Sequence, residues 1–158
     1  MCKLHHLYAT LFTCLLTVSS AVCADERQAR EPFHFVDSGR CPFGHCTSNE
    51  LVAPKGKRMV IETFSITVTL ATSQDVTSMD LRQVTDDGGT VPLHAAAVSG
   101  PRPFLGGQVF VASQQVRLYP TPGMPVIALA EITDQEGGAF TVTIDGYFLP
   151  VGSPSLSP

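Results

Sequence analysis

The sequence contains no tryptophan, and aromatic residues make up only 8% of it. A sugar site built by stacking on indole is therefore excluded, which weakens a lectin reading. Charge is also scarce: 15% of residues carry one, and the formal net charge is -4. Only Lys55, Lys57 and Arg58 lie close together. A nucleic-acid surface needs a concentrated basic patch to neutralise phosphates, so no nucleic-acid partner is expected. Electrostatic docking on anionic lipid is disfavoured for the same reason. No apolar periodicity of 3.6 residues runs through the chain, which argues against amphipathic helices. No serine sits in a Gly-x-Ser-x-Gly turn, and no Cys-x-x-Cys pair is present.

Long apolar runs are missing too, except near the start. There, Lys3 precedes an apolar stretch over residues 7–18, too short to span a bilayer as a helix. Val22-Cys23-Ala24 offers small residues before a cut, and Asp25-Glu26 begins a polar stretch. The pattern predicts a signal peptide over residues 1–24, cleaved after Ala24, and a secreted or periplasmic protein without a membrane span. A lipoprotein signal with Cys23 acylated is the rival, and Val22 is bulky for it. Of five cysteines, Cys2, Cys14 and Cys23 fall in this segment, leaving Cys41 and Cys46. An even count in an exported chain points to one disulfide between them. What remains is long enough to bury one core without help from metals.

What the sequence does have is alternation. In Met59-Val60-Ile61-Glu62-Thr63-Phe64-Ser65-Ile66-Thr67-Val68-Thr69-Leu70, apolar Phe64, Ile66, Val68 and Leu70 interleave with hydroxyl-bearing Ser65, Thr67 and Thr69. Successive side chains of a strand leave opposite faces, so this predicts a strand with one apolar and one hydroxyl-rich face. Phe140, Val142, Ile144 and Phe148 repeat the pattern against Thr141, Thr143, Asp145 and Tyr147. Residues 108–119 form another such run, with Phe110, Ala112, Val116 and Leu118 on one face and Gln114 interrupting it. Residues 126–133 are apolar on both faces, as in a strand covered on both sides. Residues 76–85 and 91–98 are weaker strand candidates around the Asp86-Asp87-Gly88-Gly89 hairpin turn. Phe33-His34-Phe35-Val36 is a short strand or a clasp, and Asp37-Ser38-Gly39 reads as a turn. Residues 99–107, rich in Pro and Gly, read as a long loop.

Short connections require antiparallel neighbours. The expected fold is all-β, an antiparallel β-sandwich or jelly-roll-like barrel in a single domain of about six strands. Its parts are an N-terminal segment over residues 25–50 with the Cys41–Cys46 loop, the sandwich over residues 51–150, and a Ser/Pro tail over residues 151–158.

The segments Pro54-Lys55-Gly56-Lys57-Arg58-Met59-Val60-Ile61-Glu62, residues 110–119 (Phe110 to Tyr119) and Ile144-Asp145-Gly146-Tyr147-Phe148-Leu149 resemble small exported bacterial β-sandwich proteins of unassigned function. The resemblance covers roughly residues 51–150. It implies a bacterial source and a sandwich, and it supplies no catalytic residues.

Candidate chemistry is sparse. His34 and His45, beside Cys41 and Cys46, are the metal-ligand types, although Cys-x4-Cys is not a common close zinc spacing. Asp75, Asp80, Asp86, Asp87, Asp134 and Glu136 offer oxygen ligands for calcium, and are equally what turns require. Ser113 and His94 are the members of an imagined catalytic triad. Tyr119, Tyr147 and Phe104 are the aromatics for a sugar-stacking surface. Lys57, Arg58 and Arg117 are placed to pair with Glu62 or Asp145 across strands. These observations favour a non-enzymatic exported protein that binds a protein or glycan partner, with no cofactor. The alternatives are a carbohydrate-binding or adhesion module, and a metal-dependent enzyme.

Overall fold

The fold is that of a computed structural model, which describes residues 30–152 apart from 43, 72 and 134–136. The signal segment 1–24, residues 153–158 of the tail, Asp134 and Glu136 lie outside the described residues. Nine strands follow in order: β1 (Glu31–Cys41), β2 (His45–Thr47), β3 (Lys57–Ala71), β4 (Val76–Val84), β5 (Thr90–Ala95), β6 (Ser99–Phe104), β7 (Gly107–Leu118), β8 (Val126–Ile132) and β9 (Gly138–Pro150). They form a five-stranded sheet, β1-β9-β3-β7-β6, and a four-stranded sheet, β2-β8-β4-β5. Every pairing is antiparallel. Most connections pass from one sheet to the other. With β6 set aside as a hairpin addition to β7, this is the winding of a jelly roll, and the expected all-β sandwich is what the chain forms.

The two-residue rhythm explains the core. Phe64, Ile66, Val68 and Leu70 of β3, Phe140, Val142, Ile144 and Phe148 of β9, and Phe110 and Ala112 of β7 face inward and are buried. Met79 and Leu81 of β4 and Val126, Ala128, Ala130 and Ile132 of β8 meet them from the other sheet. Each fully buried large side chain contributes about 1.5–3 kcal/mol. In β3 a bulge between Ile61 and Thr63 shifts the register. It moves the inward-facing positions from Met59 and Ile61 before it to Phe64 and Ile66 after it. Met59 and Ile61 join the main core, while Val60 packs with Tyr147 and Leu149 in a small cluster of its own.

Three expectations change. The sandwich begins at Glu31, since β1 and β2 come from the segment expected to lie outside it. Asp37-Ser38-Gly39 is not a turn but the middle of β1, paired with Val142, Thr141 and Phe140. Asp37 faces the other sheet, where its carboxylate accepts hydrogen bonds from the Asn49 backbone N–H (2.6 Å) and Asn49 Nδ2 (3.2 Å). Gly39 gives room to a ring, as a Cβ there would stand 3.0 Å from Phe140 Cε1. Residues 99–107 are not a loop but strand β6 and a tight hairpin into β7.

The strand prolines follow a rule. The two-residue hairpin closes on Phe104 and Gly107, whose backbones bond each other. Hydrogen bonds alternate sides along an antiparallel strand, so the registers fix which residues of every strand face which neighbour. Pro103 of β6 then points its donorless nitrogen away from the sheet, as does Pro32 of β1, while Pro101 falls in the register shift between Ser99 and Arg102. In the other sheet the Thr85 N–H to Gly89 carbonyl bond sets the phase, and Pro92 of β5 likewise points outward. Proline is confined to positions where no ladder bond is lost.

Candidate functional site

The disulfide is the first feature the sequence places. Cys41 and Cys46 Sγ are 2.01 Å apart, with Cα atoms 4.2 Å apart. Cys41 ends β1 in one sheet, and Cys46 sits in β2 of the other. The bond therefore joins the two sheets along one open side of the sandwich, and both cysteines are buried. A shallow depression beside it is bounded by Arg40, Cys41, Pro42, Gly137 and Gly138. Arg40 supplies its only ionisable side chain, so the depression has no converging set of polar groups.

The metal candidates are not brought together. His45 pairs with Glu131 near the loop end of β2, whereas His34 pairs with Asp145, seven strand residues before Cys41. Among the described residues, no three His, Cys, Asp or Glu side chains are grouped as metal ligands. The carboxylates are likewise dispersed. Asp75 accepts the Val76 N–H at 2.8 Å at the head of β4. Asp87 organises the hairpin at the other end, accepting from Thr85 Oγ1 (2.5 Å) and the Gly89 N–H (3.1 Å). These bonds, the one from Thr85 first, hold the Asp87 carboxyl below the usual carboxylate range. Asp80 lies on the outer face of the four-stranded sheet and receives Arg82 Nε at 2.8 Å and Nη2 at 3.1 Å. Glu131 stands 3.6 Å from the same guanidinium. The Asp80 hydrogen bonds raise the Arg82 pKa above its ordinary value.

Ser113 lies on the outer face of the five-stranded sheet and His94 on β5 of the other sheet, so the two are not brought together. His94 points between the sheets, 2.5 Å from Gln114 Oε1 and edge-on to the Phe64 ring. Gln114, which interrupts the apolar face of β7, thus bonds across the sandwich on the side away from the disulfide. The aromatic candidates are also separated. Tyr147 is 5% exposed in the small cluster with Val60 and Leu149. Tyr119 follows β7 with its ring 6.0 Å from the Arg117 guanidinium, and Phe104 is at the other end of that strand. The three rings form no common platform. The expected ion pairs are replaced as well: Lys57 pairs with Glu31, and Asp145 with His34. Arg117 has its pKa raised, chiefly by a hydrogen bond with Tyr147.

Sequence reasoning missed two surfaces. One is the outer face of the five-stranded sheet. The registers bring Ser38, Thr141, Thr143, Thr63, Ser65, Thr67, Thr69, Ser113 and Ser99 onto it. Of these hydroxyls only two meet a protein partner among the described residues. Thr63 Oγ1 donates to Asp145 Oδ2 at 3.3 Å, and Ser99 Oγ to the Val111 carbonyl at 3.0 Å. His34 Nδ1 lies 2.5 Å from the other Asp145 oxygen. Thr63 and His34 thus share a carboxylate without touching each other, on a face open to water. The alternating threonines were the signal, but alternation alone does not say which strands stand side by side.

The second surface is the tip of the β6–β7 hairpin. Leu105 is 93% exposed and Phe104 53%. Leu105 takes a φ of +43° and Gly106 one of +84°, the pair of left-handed residues that a two-residue hairpin turn demands. Asn-Gly and Asp-Gly are the usual occupants, and a leucine there costs about 1–2 kcal/mol. No protein-family model matches this chain, and a search of curated proteins finds none similar to it.

Proposed function

We propose that this is an exported, non-enzymatic interaction protein that engages a protein partner through the Phe104–Leu105 hairpin tip. The observation that carries the reading is Leu105. An apolar side chain almost wholly in water sits in a backbone conformation that disfavours it. Strain retained at an exposed position points to a role outside the fold. Interface anchors are large apolar side chains that fill a partner's pocket, and a hairpin tip presents one without obstruction. Export rests on the apolar leader cut near Ala24 and on a cysteine pair at bonding distance, which suits the periplasm or the outside. The non-enzymatic reading rests on the His34–Asp145–Thr63 arrangement. In a catalytic relay the hydroxyl bonds the imidazole, whereas here it bonds the carboxylate, and the His34 and Asp145 side chains are exposed to solvent.

The test is a photoreactive amino acid at position 105, activated in the exporting cells. A discrete cross-linked protein is expected, absent when the label is at Thr67 instead. With the label moved to position 104, Leu105→Asn supplies the companion result: a hairpin at least as stable and capture lost. Cross-links to lipid alone, or equal cross-linking from both positions, would defeat the reading.

A second reading has its own observation. The field of hydroxyls, most without a partner among the described residues, and threonine methyls on the five-stranded sheet suits a polyhydroxylated polymer lying flat, bound by hydrogen bonds in place of ring stacking. Each such bond nets only about 0.5–1.5 kcal/mol against water, so many are needed. Retardation in gels cast with soluble polysaccharides checks it. Mobility unchanged across a broad panel would remove a glycan partner.

A further inference from the structure

The four edges of the sandwich are not alike. β6 turns Pro103 outward and is broken by a register shift at Pro101, so its edge is short of donors. β5 turns Pro92 outward and is broken by a register shift after Leu81. β2 has three residues. Each of these is a known way of refusing a further strand. β1 has eleven residues, pairs with β9 without a register shift, and carries its one proline at the second position. Following the hydrogen-bond alternation from the hairpin through β7, β3 and β9, the odd residues Phe33, Phe35, Asp37 and Gly39 face β9. The even residues His34, Val36, Ser38 and Arg40 turn their backbone groups outward. Among the described residues none of these four has a backbone partner on that side, and only the Ser38 N–H is held, by Asp37 Oδ1 at 2.9 Å. Val36 is 54% exposed.

We infer that β1 is a pairing edge and that its occupant is β1 of a second copy of this chain, antiparallel about a two-fold axis through Val36. That register matches outward residue to outward residue: Val36 with Val36, His34 with Ser38, and Arg40 with Pro32, whose carbonyl accepts although its nitrogen cannot donate. The two Val36 side chains cover each other, and no like charges stand opposite. The neighbouring registers are rejected by charge. A slip one way sets Asp37 against Asp37, and a slip the other way sets Arg40 against Arg30. The isologous contact closes, so it yields a dimer and not a fibre. It also joins two five-stranded sheets into one ten-stranded sheet with a continuous hydroxyl-bearing outer face. The inference does not depend on the hairpin tip, which belongs to the opposite edge of the same sheet.

Light scattering on the exported protein, from low micromolar to several hundred micromolar, should show the mass doubling with concentration. Amide exchange supplies the signature. In the dimer the N–H groups of His34, Val36 and Arg40 become protected. In the dilute monomer only the odd-numbered series is. Val36→Pro deletes an outward donor without removing a β9 bond, and Val36→Lys places a charge on its own symmetry mate. Both should stay monomeric at every concentration while melting as the wild type does. A wild-type protein that stays monomeric, or a dimer that survives both substitutions, or one in which the even amides exchange freely, overturns the proposal.

Discussion

The two sheets solve the same problem by different means. The centre of the five-stranded sheet is built from long strands, of which β3 and β9 alternate large apolar residues inward with mostly hydroxyls outward. The four-stranded sheet is built from shorter strands and buries groups that alternation alone would put in water. Asp80 and Ile127 are buried on its outer face, and Gln83 is buried on its inner one. Gln83 accepts the Thr121 N–H at 2.9 Å and donates to Met124 Sδ at 2.8 Å, fastening the β7–β8 connection to the sheet. One sheet is held by apolar area. The other adds to that area a few specific polar bonds, each expensive to leave unmade. Substitutions should therefore separate the sheets by face.

The largest effect belongs to the inner face of the five-stranded sheet. Ile66→Asp places an unpaired charge among Phe64, Val142 and Phe110, and should abolish cooperative thermal unfolding. Its neighbour on the other face, Thr67→Asp, should melt within a few degrees of wild type. A normal transition in Ile66→Asp would mean that the sheet is not covered. Next is Gly146→Ala. A Cβ at Gly146 would lie 2.0 Å from the Val60 carbonyl oxygen and 3.0 Å from the Phe33 ring, opposite the β3 bulge. Loss of about 3 kcal/mol or more is expected in urea titration, in the range of severe overpacking. A loss under about 1 kcal/mol would show that the bulge can relax.

The outer faces should differ in the opposite sense. Ser65→Ala on the five-stranded sheet removes a hydroxyl with no partner among the described residues and should fall within about 0.5 kcal/mol of wild type. Asp80→Ala on the four-stranded sheet leaves the Arg82 guanidinium only the longer contact with Glu131 and should lose about 1–3 kcal/mol, partly restored by Arg82→Met in the same chain. Equal effects from the two alanines in parallel denaturation curves would erase the contrast between the sheets.

The same contrast decides what was legible. β3 and β9 could be read residue by residue, because large apolar and hydroxyl side chains alternate without exception from Phe64 to Leu70 and from Phe140 to Ile144. β1 could not. Asp37-Ser38-Gly39 has turn composition, and its strand identity comes from contacts distant in sequence: Asn49 for Asp37 and Phe140 for Gly39. β6 was hidden by its prolines, which signal loop locally and edge strand only once a neighbour is known. The disulfide was visible by counting, but its role in joining the sheets needed the topology. The candidate surfaces failed for one reason throughout. Alternation gives a side chain its face, and the order of strands within the face is set by windings the local sequence does not carry.

The smallest expected effect concerns the turn that closes the four-stranded sheet's β4–β5 hairpin. The Asp87 carboxyl is held below its ordinary range by Thr85 and the Gly89 backbone, so its charged form is favoured in the folded state. The sign follows from linkage. A depressed folded pKa contributes stability above the unfolded value, about 3.9, and that contribution disappears as pH falls through the lower folded value. Asp87 is fully exposed, so the effect is slight. Its measure is the difference in melting temperature between wild type and Asp87→Asn, taken from neutral pH downward. The gap should be constant at neutral pH and close in acid, below the ordinary carboxylate range. A gap that widens in acid would reverse the sign, and would place the hairpin's stability in something other than this carboxylate.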